Sequence, residues 1–433
     1  MIFEIVTTSI MGGIALKAFV KKKGLATNDS GKIQRIISLS GLNVKDGKDT
    51  LTTQLVRKKQ HDWGMEYKYR IPLGRSFDDY LNKQRILEDG LNNRRKRITL
   101  DDLKTLQLDK NIIDNIRMMW NNKLSENKEL ELSFDGLLTL RVYNEPMPTQ
   151  VSFQAGHEWR VPVGATRDKN QFRYHDFENI PHLVLGGSSG YGKSSFINSM
   201  IISLLQSNPD HVHFFLIDLK GGIELNDYEH IKQTISIAYE PEEALKTLQI
   251  AHDKMRAIQT KLRMMGKKNV QEAGIKDRYF VIIDESGELN ASEAIGAEDK
   301  KLKLQCQTLM SQIARIGRSN GFRQILATQY PVGDVLPRQV KQNSDAKLCF
   351  RVQSATASRV VLDETGAENL PQIKGRAIYQ TADKREILQT PLITSEIIQK
   401  TIAPYFKKKE EIQLEKETVE STRRTDTITF EEV

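Results

Sequence analysis

One octet restricts the fold of this chain more than any other feature. Residues Gly187–Ser194 (GSSGYGKS) fit the pattern G-x-x-x-x-G-K-[ST] and stand between a short apolar run, His182–Gly186, and an apolar helical stretch, Ser195–Leu205. The pattern forms a phosphate-binding loop when it joins a strand to a helix. The sequence therefore predicts an α/β fold in which the octet connects a sheet strand to a flanking helix.

The residue types of the octet fit phosphate chemistry. Glycines let backbone N–H groups close around phosphates at a helix N-terminus. Lys193 would neutralise phosphate oxygens, and Ser194 would offer its hydroxyl to Mg²⁺. The residues that we assign to nucleotide binding are Gly187, Ser188, Ser189, Gly190, Tyr191, Gly192, Lys193, Ser194 and Ser195.

A second segment supplies the carboxylates that a nucleotide-hydrolysing site needs. Tyr279–Ile283 is an apolar run typical of a buried parallel strand, and Asp284 and Glu285 follow it. Open α/β sheets bind ligands at the carboxyl ends of their strands. We expect Asp284 to hold Mg²⁺ and Glu285 to orient or deprotonate the attacking water.

Two more segments repeat the pattern of an apolar run followed by polar residues. They are Val212–Asp218, followed by Leu219 and Lys220, and Gln324–Thr328, followed by Gln329. Both ends suit phosphate sensing at the same sheet edge.

Hydrolysis also needs a positive charge near the transition state. Arg318, in a segment just before the Gln324–Thr328 strand, is our candidate for an arginine presented to a neighbouring subunit. The alternative is a surface arginine that is paired locally. His211 and His213 lack a third ligand nearby, so we interpret them as structural or exposed.

Net charge favours a polyanionic partner. The chain has 64 Lys and Arg against 56 Asp and Glu, a formal net charge of +8. Residues 1–100 carry a net charge of +10 and the remaining residues carry −2, so the basic excess lies in the first quarter of the chain.

The overall composition, with 39% hydrophobic and 28% charged residues, excludes a polytopic membrane protein and a wholly disordered chain. Two cysteines, 43 positions apart, form neither a zinc motif nor a disulfide framework, which fits a reducing compartment.

The first 23 residues contain a candidate membrane anchor. Twelve uncharged residues, Ile5–Leu16, are short for a bilayer span, although Lys17 could snorkel and extend the run to Val20. An interfacial helix or a first buried helix are the alternatives. If the segment spans the membrane, the positive charges of Lys21–Lys23 would place the rest of the chain on the cytoplasmic side.

Residues 24–150 are interpreted as a smaller α+β region that is basic and mainly helical. A hydroxyl residue precedes an acid by three positions at Ser76 and again at Thr99, which signals helix starts before Phe77–Leu91 and Leu100–Trp120. The run Arg94–Arg97 between them could grip phosphates or form a solvated helix flank.

The end of this region, Glu131–Val142, is predicted to form a hairpin around Asp135 and Gly136. We expect the nucleotide-binding domain to span residues 151–392 and a charged tail to span 393–433.

Several of these motifs together resemble the motor domain of FtsK/SpoIIIE-type DNA translocases, over about Val161–Tyr379. The segments that carry the resemblance are Gly187–Ser194, Leu216–Lys220, Val281–Glu285, Arg318–Gly321 with Ile325–Pro331, and Phe350–Asp363. The resemblance implies a RecA-like P-loop domain in a hexameric ring, with ATP between subunits and DNA in the pore. It makes Lys193, Ser194, Asp284 and Glu285 nucleotide and Mg²⁺ residues. It also makes Gln329 a sensor, and Arg318 or Arg359 the inter-subunit arginine.

Departures from that family favour one branch of it. Chromosome-pumping members carry several membrane spans before the motor and a winged-helix domain after it, whereas here a polar tail follows the motor. In addition, Lys374–Ala377 (KGRA) replaces the Gly-Asp pair that is usual near the end of the family's motor domain. The compact build and the segment Asp218–Gly222 (DLKGG) look more like coupling proteins of Gram-positive conjugative elements. Such proteins deliver DNA, with its attached relaxase, to a conjugation channel at the cytoplasmic face of the cell membrane.

Other functions remain open at this point. A type VII-like protein-secretion ATPase shares the phosphate loop and an Asp-x-Lys-Gly-Gly strand end, but such proteins usually carry several motor domains, and one phosphate loop is found here. A chromosome or plasmid segregation pump is a further alternative. Glu285 and a candidate arginine disfavour a non-hydrolysing scaffold. Whether the DNA is single- or double-stranded is left open.

Overall fold

The computed structural model describes residues 29–92, 128–167, 171–329 and 338–407. The chain divides into two compact units, Met1–Met147 with Arg167–Lys169, and Pro148–Thr166 with Asn170–Val433. We call them the N-terminal unit and the C-terminal unit. The candidate anchor, the run Arg94–Arg97, the expected helix Leu100–Trp120 and the tail beyond residue 407 lie outside the described residues. No helix in the described ranges is long and apolar enough to cross a bilayer.

The N-terminal unit is built on a four-stranded antiparallel sheet in the order β3-β4-β6-β5, with a separate two-stranded pair, β1-β2. Its elements are α1 (Ser30–Leu39), β1 (Val44–Asp46), β2 (Asp49–Leu51), β3 (Gln54–His61), β4 (Gly64–Arg70), α2 (Phe77–Leu81), α3 (Gln84–Asn92), β5 (Glu129–Asp135) and β6 (Leu137–Tyr143). The predicted hairpin is β5-β6, and Gly136 makes its turn with φ of 66°.

The interpretation of residues 24–150 as mainly helical is wrong for the described part of them, where strands predominate. In β4 the buried Met65, Tyr67 and Tyr69 alternate with the less buried Glu66 and Lys68. This period of two is typical of a strand with one face on a core. The many charged residues of β3 and β4 obscure it in the sequence.

The predicted helix Phe77–Leu91 is broken into α2 and α3. Tyr80, in α2, is hydrogen-bonded to Thr53 Oγ1 at 2.5 Å, and Gln84, at the start of α3, donates to the Leu130 carbonyl at 2.7 Å. Asn82, a weak helix former, caps α2 between these two anchors. The two halves are thus fixed to different segments, α2 to Thr53 just before β3 and α3 to Leu130 in β5, and a turn replaces one helix.

The C-terminal unit contains a ten-stranded sheet with helices packed on it. Its strands are β7 (Arg160–Ala165), β8 (Phe172–Asp176), β9 (Leu183–Gly186), β10 (Val212–Asp218), β11 (Thr234–Ala238), β12 (Arg278–Asp284), β13 (Phe322–Thr328), β14 (Ala346–Phe350), β15 (Arg376–Gln380) and β16 (Arg385–Gln389). Its helices are α4 (Lys193–Ser207), α5 (Pro241–Met264), α6 (Ala297–Ile316), α7 (Arg338–Gln342), α8 (Ala355–Leu362) and α9 (Ser395–Ile402).

The strand order is β11-β10-β12-β13-β9-β14-β15-β16-β7-β8. The first six strands are parallel to one another, and the last four continue the sheet in antiparallel pairings. Every residue of β12 and β13 is buried, as expected for strands that are covered on both faces. The expected α/β fold with a mostly parallel sheet is therefore confirmed.

The sheet order positions the site. Strand β9, which leads into the octet, and β12, which ends in the carboxylates, are separated by β13. All three run parallel, so their carboxyl ends meet at one edge. The polar residues at the end of β13 consequently lie between the octet and the carboxylates.

Candidate functional site

The loop between β9 and α4 has the conformation that close approach to phosphates requires. Gly187 and Gly192 have φ values of 155° and 113°, which side chains rarely adopt. A Cβ on Gly187 would lie 2.6 Å from the Phe350 Cβ. The loop is also fixed from outside, because Ser188 N–H donates to the Arg351 carbonyl at 3.0 Å and Gly375 N–H donates to the Tyr191 carbonyl at 2.9 Å.

Lys193 and Asp284 form a buried ion pair below the loop. The Lys193 ammonium contacts Asp284 Oδ1, and the two side chains are 3% and 0% exposed. Burial, aided by the nearby Lys220 ammonium, lowers the pKa of Lys193, while Asp284 acts in the opposite direction. The contact joins the first residue of α4 to the last residue of β12, so the predicted lysine and carboxylate are brought together.

Glu285 is held by the neighbouring strand. Thr328 Oγ1 donates to its Oε1 at 2.9 Å, and Gln329 N–H donates to both carboxylate oxygens at 3.2 and 3.0 Å. Glu285 is itself buried and has φ of 64°, which is uncommon for a residue other than glycine. Gln329, predicted as a sensor, thus contacts Glu285 through its backbone.

The end of β10 contributes a second cation. Lys220 Nζ lies 3.8 Å from Asp284 Oδ2 and 3.4 Å from Glu285 Oε2. Asp218 accepts hydrogen bonds from the backbone N–H groups of Lys220, Glu224 and Leu225 at 3.2, 2.9 and 3.0 Å. Asp218 therefore shapes the loop, and Lys220 reaches the carboxylates.

A cavity of about 590 Å³ adjoins these groups. Its lining comes from the octet and from three other parts of the C-terminal unit: Ser188, Ser189, Gly190, Gly192, Lys193, Ser194 and Ser195; Glu224 and Gln329; Lys374, Gly375 and Gln389–Leu392; and Thr149–Val151. The volume suits a nucleotide-sized ligand. Apart from Gly187 and Tyr191, every residue that we assigned to nucleotide binding lines it.

The oxygen atoms at the site fit Mg²⁺. Asp284 Oδ2 is buried and accepts no hydrogen bond from the described residues. Ser194 follows Lys193 in α4 and lines the cavity. A carboxylate oxygen and a hydroxyl are the hard ligands that Mg²⁺ prefers.

The comparisons with known proteins agree with this geometry. The family model described as "FtsK/SpoIIIE family" matches residues 149–284, which contain the octet and end at Asp284. Over these residues the chain is similar to the FtsK/SpoIIIE family.

Curated relatives of the chain are DNA translocases named FtsK. The protein from Corynebacterium glutamicum is 32% identical over 262 residues, which cover 55% of this chain and 28% of the relative. The protein from Streptococcus pyogenes serotype M6 is 33% identical over 218 residues, which cover 48% of this chain and 27% of the relative. The chain thus spans little more than a quarter of the length of these translocases.

Solved structures share the fold. The pCW3 conjugation coupling protein TcpA, in a monomer form with ATPγS, has a TM-score of 0.58 and 20% identity, covering 87% of this chain and 99% of that chain. The cytoplasmic domain of the type VII secretion ATPase EccC from Thermomonospora curvata has a TM-score of 0.50 and 22% identity, covering 61% of this chain and 32% of that chain. Over the covered residues the chain therefore shares its fold with these two proteins.

The two candidate arginines of the chain, Arg318 and Arg359, do not line the cavity beside the octet. Arg318 is exposed just before β13 and lines a separate cavity of about 460 Å³. The seven residues of β13 place it roughly 20 Å from Thr328. Arg359 is exposed on α8 and does not line the nucleotide cavity either. A catalytic role for either one remains a prediction about a neighbouring subunit.

Two sets of site residues escape sequence reasoning. The sequence suggests phosphate sensing for the strand end that contains Lys220, but it does not predict that Lys220 faces Asp284 and Glu285. Lys374 and Gln389 line the cavity from the antiparallel part of the sheet, and Gln389 Nε2 donates to the Lys374 carbonyl at 2.7 Å. No local motif marks them, because strand pairing alone brings them to the octet.

The interpretation of the two histidines as structural or exposed agrees with the structure. His211 Nδ1 and His213 Nε2 lie 3.1 and 3.6 Å from Asp277 Oδ1. Across the described ranges, no cluster of three His, Cys, Asp or Glu side chains has the geometry of a metal site. Cys306 and Cys349 are buried free thiols, and burial raises the pKa of Cys306 to about 12.

Proposed function

We propose that this protein hydrolyses ATP to move DNA. The observation that carries the proposal is the restraint of Glu285 by Thr328 and Gln329 beside the buried pair of Lys193 and Asp284. A nucleotide-binding scaffold would need the lysine but not an oriented glutamate. The DNA translocases among the curated relatives support DNA as the substrate.

Each residue has a defined task in this proposal. The backbone N–H groups of the octet and Lys193 bind the phosphates of ATP, and Ser194 and Asp284 would hold Mg²⁺. The metal, when bound, supplies positive charge at the phosphate oxygens. Glu285 orients the attacking water and accepts its proton. Gln329 couples Glu285 to the end of β13.

We further propose a hexameric ring, in which Arg318 or Arg359 reaches the nucleotide of the adjacent subunit. The exposure of both arginines, outside their own cavity, supports a role between subunits. Such an arginine stabilises the charge that develops during phosphoryl transfer.

The biological role that we propose is that of a conjugative coupling protein. It would deliver single- or double-stranded DNA, with a relaxase, to channel proteins at the cytoplasmic face of the membrane. The likeness to the conjugation coupling protein TcpA supports this role, because it extends over 87% of this chain. The net charge of +10 in residues 1–100 suits DNA or anionic lipid.

ATP hydrolysis by the purified full chain tests the proposal. We expect duplex or single-stranded DNA to raise the rate several-fold, and Lys193→Ala and Glu285→Gln to abolish it. Lys246→Ala, which removes an exposed lysine of α5, should leave the rate unchanged. A rate that ignores both DNAs but rises with an unstructured peptide would overturn the proposal and favour a type VII-like secretion ATPase.

Cell fractionation tests the membrane assignment. The full chain should sediment with membranes, and a chain that begins at Gly24 should be released. Equal recovery of both chains in the soluble fraction would refute an anchor in residues 1–23.

A further inference from the structure

The ammonium group of Lys220 is buried, although the rest of its side chain is partly exposed, and it has no task in the proposed hydrolysis. Its Nζ atom is inaccessible to solvent and has no hydrogen-bond partner among the described residues, although it lies 3.4 Å from Glu285 Oε2 and 3.8 Å from Asp284 Oδ2. The Asp284 Oδ2 atom is also inaccessible to solvent and has no hydrogen-bond partner among the described residues. An ammonium and a carboxylate oxygen therefore face each other in a buried site, close enough for attraction but without a hydrogen bond.

The fold holds Lys220 in this position. Strand β10 pairs in parallel with β12, so that Asp218 lies opposite Asp284. Three backbone hydrogen bonds to the Asp218 carboxylate fix the loop that begins with Leu219. Lys220, two residues beyond the strand, is consequently directed across the sheet edge to the carboxylates.

The charges of the site balance without a metal. Two carboxylates, Asp284 and Glu285, are matched by two ammonium groups, Lys193 and Lys220. Lys193 contacts one oxygen of Asp284, and Lys220 faces the other, which is the oxygen that we assign to Mg²⁺. A divalent cation and an ammonium at that same oxygen would repel each other strongly in a buried site.

We propose that Lys220 is a positioning residue that serves as the internal counter-ion of the acid pair and competes with Mg²⁺ for Asp284. Without metal, Lys220 and Lys193 together neutralise the two carboxylates, so the phosphates of a nucleotide meet less negative charge. When Mg²⁺ binds, Lys220 leaves Asp284 and remains beside Glu285. The inference rests on the proposed ATPase site, and it adds a residue that sets how strongly nucleotide binding depends on metal.

The test is the affinity for ATPγS, measured by fluorescence anisotropy of a labelled analogue, in EDTA and again in saturating Mg²⁺. The ratio of the two affinities reports the coupling between metal and nucleotide, and it equals the effect of nucleotide on metal binding. In Lys220→Met we expect weaker binding in EDTA, because a cation near the phosphates is lost, and equal or tighter binding in Mg²⁺. The ratio should rise by about tenfold or more.

The matched variants separate charge from structure. Lys220→Arg keeps the charge and should keep the wild-type ratio, and Lys246→Met removes a distant exposed lysine and should also keep it. If Lys220→Met fails to fold, Lys220→Gln is measured instead, with the same expected rise. Equal weakening in both buffers, with the ratio unchanged, would overturn the inference.

The outcome also distinguishes this inference from the proposed function. Wild-type protein that binds no ATPγS in either buffer would refute the nucleotide site itself. If wild-type protein binds ATPγS more tightly in Mg²⁺ than in EDTA, and the ratio of the two affinities is the same in Lys220→Met, only the role of Lys220 is refuted.

Discussion

Thr328 donates a hydrogen bond of 2.9 Å to Glu285, and this contact ties the ends of β13 and β12 together. The backbone N–H of Gln329 adds a second donor to the same carboxylate. The orientation of Glu285 is therefore set by the strand that separates β12 from the phosphate loop. Because Gln329 also lines the nucleotide cavity, a shift in its position when a ligand binds would alter the orientation of Glu285.

Replacing Thr328 by valine removes this donor while keeping the size of a fully buried side chain. A hydrogen bond to a charged group contributes about 1.5–3 kcal/mol, so we expect kcat for ATP hydrolysis to fall by about tenfold or more. The KM for ATP should change little, because Thr328 does not line the cavity. Steady-state kinetics check this. Thr328→Ser, which keeps the hydroxyl, should retain most activity, and an unchanged kcat in Thr328→Val would contradict the assigned role.

Gly187→Ala should damage both folding and nucleotide binding. The new methyl group would lie 2.6 Å from the Phe350 Cβ, on a backbone with φ of 155°. Overpacking and backbone strain together should lower the free energy of unfolding by about 3 kcal/mol. Thermal melting and ATPγS binding measure the two effects. Gly31→Ala is the control, because its methyl group would meet open space in α1, and it should not lower the stability of the protein. Equal melting temperatures for the two variants would argue against the close approach of Gly187 to Phe350.

Stability should fall as the pH drops below about 6.5. Burial lowers the pKa of His182 to about 3 and that of His175 to about 4, from an ordinary value of 6.5. The unfolded chain therefore takes up protons first, so the contribution of both residues is complete above pH 6.5 and is lost progressively, down to about pH 4 for His175 and about pH 3 for His182.

Replacing His182 by asparagine isolates its share of this pH dependence. His182 Nδ1 accepts a hydrogen bond from Gln324 N–H at 3.0 Å, and the asparagine oxygen can also accept one. The melting temperature of His182→Asn should be lower at pH 7 but should fall less steeply between pH 7 and 5. Parallel melting curves of wild type and variant across this range would count against the buried neutral imidazole.

The inter-subunit arginine can be identified by mixing inactive variants. Arg318→Ala protomers keep an intact nucleotide site, and Lys193→Ala protomers keep an intact Arg318. If Arg318 acts on the neighbouring subunit, mixed rings regain part of the ATPase activity that each variant lacks alone. The same experiment with Arg359→Ala tests the other candidate. Loss of activity without recovery in either mixture would contradict catalysis between subunits.

The nucleotide-binding core was predictable because its signals are local. The octet, the apolar strand before Asp284 and the strand before Gln329 each carry their own pattern, and parallel pairing brings their ends together. The observed β10, β12 and β13 begin within two residues of their predicted starts; β10 and β13 end at their predicted residues, and β12 ends one residue later, at Asp284.

The remaining features depend on contacts between distant segments. Lys374 reaches the cavity through the pairing of β14, β15 and β16, and Lys220 reaches Asp284 through the register of β10 with β12. The strands β3 and β4 of the N-terminal unit were missed, although the β5-β6 hairpin was predicted, because charged residues fill many positions of β3 and β4. Packing against its core, rather than intrinsic propensity, makes these segments strands.

Movement along DNA is the central claim, and displacement of streptavidin from the biotinylated end of a DNA strand tests it most directly. Wild-type protein with ATP and Mg²⁺ should release streptavidin from duplex or from single-stranded DNA, and the preferred strand type identifies the substrate. Glu285→Gln, which should still bind ATP, should release none. ATP hydrolysis at the wild-type rate without release from either DNA would contradict the account.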